Sequence, residues 1–258
     1  MEKITVVKIG GNVIDSPEAF APFMEAFAKL EGKKILVHGG GKIATRLAKQ
    51  MEVETTMIEG RRVTDKAMLD IVVMTYAGLI NKDVVATLQK HDCNAIGLSG
   101  ADGNAIKATK RPANPIDFGF VGDIDPANVN DHLIKVLLDG GITPVYCAIT
   151  HNGEGTLLNC NADTIASSVA LAASRVAPTE LIFCFEKKGV LRDIEDETSV
   201  IESITSENFA SLKAEGVIHT GMIPKIDGAL KAISKGVSKV TIKHSEDLLA
   251  QSGTEITA

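Results

Sequence analysis

The 258-residue sequence contains no Trp and 2 Tyr. It therefore lacks the aromatic platforms on which single-stranded nucleic acids stack their bases. It also lacks a basic excess: 27 Lys plus Arg against 33 Asp plus Glu leave a net charge of −6. Non-specific phosphate-backbone binding needs clustered cations, so a nucleic-acid partner is not expected. An anionic ligand would have to be held by a local arrangement of groups. Long apolar runs are scarce as well. The stretch Ile71–Ile80 falls well short of the ~20 residues that cross a bilayer, so no membrane partner is expected. Cys93, Cys147, Cys160 and Cys184 are widely spaced with no Cys-x-x-Cys, and read as buried reduced thiols rather than a disulfide framework. The 6 His residues form no His-x-x-x-His or His-Cys cluster, so no protein metal site is expected. The opening residues show no basic region followed by an apolar core and a small-residue cleavage site. A cytoplasmic protein is the expectation.

What the sequence does contain is an alternation of short β-branched runs, glycine turns and helical patterns. Val6–Ile9 ends at Gly10-Gly11, and a helix then starts at Ser16-Pro17-Glu18, where Ser can cap and Pro is tolerated. Ile35-Leu36-Val37 runs into His38-Gly39-Gly40-Gly41, followed by a helix from Lys42. Such repeats predict an α/β fold with a mainly parallel sheet and crossover helices. Thr64-Asp65 opens the longest helical pattern, to about Lys90. Asp125-Pro126 predicts a helix to about Asp139, Ile142–Ile149 a strand, and Ser245–Ala250 a short helix. Ala177-Pro178-Thr179 is the best linker candidate, dividing a lobe of residues 1–176 from a smaller lobe of residues 177–258.

Glycine turns let backbone N–H groups approach an anion, and a following helix adds its positive end. Lys8 lies near the C-terminal end of its strand, the edge at which open parallel sheets bind ligands. The combination points to a phosphate site. The plainer alternative, that the glycines only make tight turns and Lys8 is a solvated strand end, stays open at this level. Gly41-Lys42 is followed by Ile43 and does not complete a P-loop; Gly-x-Gly-x-x-Gly is absent after the first strand, which disfavours a nicotinamide oxidoreductase.

Several motifs recur in one order along nearly the whole chain. They include Lys8-Ile9-Gly10-Gly11, His38-Gly39-Gly40-Gly41-Lys42, Gly60-Arg61-Arg62-Val63-Thr64-Asp65, Leu158-Asn159-Cys160-Asn161-Ala162-Asp163 and Gly221-Met222-Ile223-Pro224-Lys225. In these the chain resembles the amino acid kinase family, in the branch that phosphorylates the γ-carboxylate of an N-acylated glutamate with MgATP. The resemblance implies a three-layer αβα sandwich around a mainly parallel open sheet in two lobes. The N-terminal lobe would carry the N-acylglutamate site and a dimer interface, and the C-terminal lobe the ATP site. Mg2+ would arrive on the ATP phosphates. Lys8 and Lys225 would contact the transferring phosphoryl group, with Asp163 orienting both. Gly40 and Gly41 would offer N–H groups to the acylglutamate, Arg62 would clamp its α-carboxylate, and Asn159 would contact the acylamino region. Gly10, Gly11, Glu186, Lys187, Gly189, Leu191, His219, Thr220 and Gly221 would serve the nucleotide. No general base is needed, because a carboxylate of pKa near 4.3 is already ionised at neutral pH.

The chain departs from that pattern in places. Phe185-Glu186-Lys187-Lys188-Gly189 replaces the usual Asp-Val-x-Gly segment, and His219-Thr220 replaces small or acidic residues. These changes motivate a second reading, a catalytically weak regulatory binder. Arg61 stands where the family commonly has Leu, so two adjacent arginines could serve two carboxylates and accept a succinyl rather than an acetyl group. Arginine-inhibited members carry an added N-terminal helix, whereas this chain begins at its first strand. The expectation is no arginine feedback and a homodimer, with Ile71–Ile80 as the candidate interface.

Overall fold

A computed structural model of the chain describes residues 2–58, 60–218 and 222–258. Strand β1 (Ile4–Ile9) is buried along its whole length, as befits a central parallel strand covered on both faces. A single helical turn, α1 (Gly11–Asp15), follows the first glycine pair. In α2 (Pro17–Lys29) the Ser16 hydroxyl accepts from the Ala19 N–H, and Pro17 occupies the first turn, where its missing N–H costs nothing. Strand β2 (Lys33–His38) runs into the second glycine turn, and α3 (Gly41–Gln50) begins inside it. A two-stranded ribbon, β3 (Met57–Ile58) with β4 (Arg61–Arg62), comes next.

Asp65 caps α4 (Lys66–Val72) by accepting from the Met68 N–H. The helix continues through a π-helical stretch, Val73–Ile80, into α5 (Asn81–Lys90). By length and composition this 25-residue run is apolar enough to cross a membrane, which the shorter stretch read from sequence did not suggest. Its apolarity has a source in the fold. Met68, Ile71, Val72, Tyr76, Ile80, Val84 and Leu88 pack into the core, while Met74 and Leu79 stay 47% and 53% exposed.

After β5 (Ala95–Leu98), β6 (Ile106–Lys110) pairs antiparallel with β7 (Gly122–Val129). Here a helix signal misleads. Asp125-Pro126 lies within β7, where the Asp125 carboxylate accepts from the Ala127 N–H. The helix α6 (Asp131–Asp139) starts later, where the Asn130 side chain accepts from the Leu133 N–H. The apolar stretch Ile142–Ile149 is likewise two strands, β8 (Thr143–Tyr146) and β9 (Ile149–His151), which join different sheets. Strand β10 (Leu157–Asn159) leads into α7 (Ala162–Ser174), capped by Asn161.

The segment Ala177-Pro178-Thr179 is tied into the sheet: the Ile4 N–H donates to the Pro178 carbonyl, and the Ser238 N–H to that of Thr179. Strand β11 (Thr179–Phe185) begins there. The remainder comprises β12 (Ser203–Ile204), α8 (Ser206–Ala214), α9 (Ile223–Ser234), β13 (Lys239–His244) and β14 (Thr254–Ile256). The expected helix at Ser245–Ala250 is one 3-10 turn, Ser245–Asp247.

The main sheet has the order β12-β14-β13-β11-β1-β2-β8-β5 and is parallel except where β13 meets β14; β10-β9-β6-β7 form a second sheet. One hydrophobic core lies under α6, α7, α8 and α9, and another, on the opposite face, under α2 to α5. The result is an αβα sandwich around a mainly parallel open sheet. The register sets Ile9 beside both His38 and Cys184. The ends of β1, β2 and β11 therefore emerge together at one edge, with both glycine turns.

Candidate active site

Three charged side chains from distant parts of the chain meet at that edge. Lys8 is the penultimate residue of β1, and Asp163 and Lys225 lie in the first turns of α7 and α9. The Lys8 ammonium lies 2.6 Å from Asp163 Oδ1, and Lys225 Nζ donates to Asp163 Oδ2 at 2.9 Å. Among the described residues, Oδ1 has no hydrogen-bond partner besides that ion contact. Burial disfavours the Asp163 charge, but the two ammonium groups outweigh it and hold the carboxyl below its usual pKa. Asp163 is thus an anion at neutral pH, and both lysines are fixed by it. The Phe185 ring, at the end of β11, faces both lysines from another side; its centroid is 4.1 Å from Lys225 Nζ and 5.8 Å from Lys8 Nζ.

The second glycine turn forms the neighbouring wall. Gly40 has φ 153°, a conformation that favours glycine, and a Cβ there would press on Ile80 Cδ1 at 2.1 Å. Arg62 is buried and donates through Nη2 to the Gly41 carbonyl at 2.9 Å and to Thr45 Oγ1 at 2.8 Å. Asn159 donates through Nδ2 to Thr64 Oγ1 at 3.0 Å. Lys8, Gly11, Gly40, Arg62, Asn159 and Lys225 all line one cleft of about 660 Å³.

Behind the turn, His38 is fully buried. Its Nδ1 bonds the Gly39 carbonyl at 2.9 Å, and its Nε2 meets Asn81 Nδ2 at 3.0 Å. The carbonyl needs a donor and the amide needs an acceptor, so the ring is neutral with its proton on Nδ1. Burial pushes its pKa down to about 4.

The other residues singled out in the sequence fall in different places. Gly10 caps α1 beside Gly11, and Arg61 is exposed on the ribbon, lining the cleft near Arg62. Glu186, Lys187, Gly189 and Leu191 follow β11 and do not line this cleft. Lys187 pairs with Glu197 at 3.2 Å. Gly189 is buried against β14, where a Cβ would meet Thr254 Oγ1 at 2.7 Å, and Leu191 bridges to Val200. His219, Thr220 and Gly221 lie outside the described residues. Sequence reasoning missed Phe185, Thr64 and the His38–Asn81 pair. His38 and Thr64 lay inside recognised motifs and Phe185 beside the altered Glu186-Lys187-Lys188 run, but no local signal paired them with their partners.

Two ammonium groups fixed by one partly buried carboxylate, beside glycine turns at the edge of a parallel sheet, suit a dianionic group in transfer: the chemistry is of the phosphotransferase class. The sequence matches the amino acid kinase family over residues 3–244, and the chain belongs to that family. It is 51% identical to the acetylglutamate kinase of Cytophaga hutchinsonii over 250 residues, 96% of this chain and 94% of that one. It is 47% identical to the acetylglutamate kinase of Phocaeicola vulgatus, over 99% of this chain and 98% of that one. Among solved structures it is similar to smu.665 from Streptococcus mutans UA159, with a TM-score of 0.80 at 30% identity, covering 99% of this chain and 98% of that one.

Proposed function

We infer that the chain catalyses ATP-dependent phosphorylation of the γ-carboxylate of N-acetyl-L-glutamate, giving an acyl phosphate for arginine biosynthesis. The observation that carries this reading is the meeting of Lys8 and Lys225 on Asp163, in a chain whose relatives bear the name acetylglutamate kinase along nearly their whole length.

The substrate carboxylate attacks the γ-phosphorus of ATP, the bond from that phosphorus to the bridging oxygen breaks, and ADP leaves. The nucleophile is already ionised, so the protein's task is alignment and charge stabilisation. Lys8 and Lys225 neutralise the transferring phosphoryl oxygens, and Asp163 keeps both ammonium groups in place before the substrates arrive. Arg62 supplies a planar guanidinium for the α-carboxylate, a fork suited to two oxygens. Gly40 and Gly41 offer amides beside it, and Asn159 serves the acylamino group. Residues 1–176 form the acylglutamate lobe and residues 177–258 the ATP lobe, with Gly10, Gly11 and the Glu186–Leu191 segment on the nucleotide side. Mg2+ arrives on the ATP phosphates, whose oxygens can ligate it. The acyl group is acetyl, as in the relatives' names. Arg61, exposed on the ribbon, faces solvent at the cleft rim.

The functional unit is a homodimer formed across the outer face of the Lys66–Lys90 helix. The exposed Met74 and Leu79 support this. Four free, buried cysteines support a reducing, cytoplasmic setting. The activity is tested by trapping the acyl phosphate as hydroxamate, with N-acetylglutamate, N-succinylglutamate and free glutamate compared. N-acetylglutamate should give the highest kcat/KM; no hydroxamate from any of them, with folded protein, refutes the assignment.

A further inference from the structure

Phe185 is partly buried against one of the two hydrophobic cores, and its ring also reaches the two lysines of the site. It is half-buried at the last position of β11, against the flank of Phe183, with the two ring centroids 6.3 Å apart and the planes 18° from parallel. Phe183 is 5% exposed and belongs to the core. The ring of Phe185 is thereby held with one region of its surface toward the two ammonium groups, at 4.1 Å from Lys225 Nζ and 5.8 Å from Lys8 Nζ.

The surroundings of Lys225 make that contact consequential. Its first-turn position on α9 sets a positive charge against the positive end of the helix. Its only ion-pair partner among the described residues is Asp163, which it shares with Lys8. One carboxylate thus serves two cations, and like charge drives the two lysines apart. An aromatic face attracts a cation through its quadrupole without adding a negative charge that would repel an incoming phosphate. A second carboxylate in the same place would steady Lys225 equally well but would repel the anion it must bind.

We propose that Phe185 is a positioning residue for phosphoryl transfer: its ring face holds the Lys225 ammonium, and more weakly that of Lys8, in the transfer geometry. This inference rests on the catalytic role given to Lys225 above. It predicts an effect on kcat, because the lysines act on the transferring group, and little effect on the affinity for N-acetylglutamate, whose contacts come from Arg62 and Asn159.

The test replaces Phe185 by Leu, by Tyr and by phenylalanines of increasing ring fluorination, which keep the shape while withdrawing electron density from the ring face. Phe185→Leu should lower kcat about tenfold, leave the KM for N-acetylglutamate within about twofold, and be rescued by Phe185→Tyr. Across the fluorinated series kcat should decline stepwise at constant melting temperature. Wild-type kcat in Phe185→Leu, or a flat fluorinated series, overturns the inference; the series decides the matter even if the leucine variant fails to fold. Lys225→Ala is measured alongside. If it keeps wild-type kcat, the catalytic reading of Lys225 falls and this inference with it. If it is inactive while the fluorinated series is flat, only the role of Phe185 falls.

Discussion

Lys225 and Asp163 lie 62 residues apart in sequence, yet their side chains meet at 2.9 Å in a partly buried hydrogen bond. The contact joins the first turn of α9 to that of α7. Asp163 sits well there, since a carboxylate near a helix N-terminus gains from the dipole, whereas Lys225 does not. The placement costs stability and is maintained by one carboxylate shared with Lys8, an arrangement that suits an anionic ligand. The same geometry makes the lysines sensitive to each other, because removing one leaves Asp163 wholly to its partner.

Lys8→Ala tests the nearer half of that arrangement. The side chain is 10% exposed and its ammonium has no ion-pair partner other than Asp163 among the described residues. Losing one preorganised donor to the transferring group should raise the barrier by about 3 kcal/mol, a loss of roughly a hundredfold in kcat. Circular dichroism should remain that of the parent. An unchanged kcat removes Lys8 from the mechanism.

Gly40→Ala probes the substrate wall. A φ of 153° is one that L side chains rarely adopt, and the added Cβ would press on the Ile80 methyl at 2.1 Å. Strain and overpacking of this kind cost about 1–3 kcal/mol, relieved by movement of the Ile80 side chain or of the turn. The expected result is a lower urea midpoint together with a raised KM for N-acetylglutamate. A variant with parental stability and KM would show that the turn does not set the binding wall.

His38 gives the fold a pH signature. Burial, aided by the nearby Lys82 charge, lowers its folded pKa to about 4, against about 6.5 unfolded. The unfolded chain therefore binds the proton first as pH falls. The stability due to neutral His38 is complete above pH ~6.5 and is lost as pH drops toward ~4. Between pH 7 and pH 5 this group alone should remove about 2 kcal/mol. Urea titrations at both pH values should show that loss in the parent and a smaller one in His38→Gln. Equal losses in both would place the acid sensitivity elsewhere.

The legible parts of the molecule were those whose signals are local. Strand, glycine turn and helix follow one another within a few residues, and Ser16, Asp65 and Asn161 act as caps over two or three positions. The residues of the lysine–aspartate cluster stood out because their motifs recur in family order. Contacts made over long separations were not legible. Thr64 and Asn159 lie 95 residues apart, and His38 and Asn81 lie 43 apart. Competing signals also misled: Asp125-Pro126 and Asn130 both resemble helix starts, and pairing with β6 decides for Asn130. The packing of Gly189 against Thr254 was likewise not legible, because the two lie 65 residues apart.

The most direct test of the account is phosphorus NMR of ATP and Mg2+ incubated with the protein and N-acetylglutamate, with free glutamate as the parallel sample. An acyl-phosphate resonance should grow with ADP only when the amine is acylated, and its growth should slow about a hundredfold in Lys8→Ala. ADP formed with no acyl phosphate, or equal acyl phosphate from free glutamate, would contradict the account.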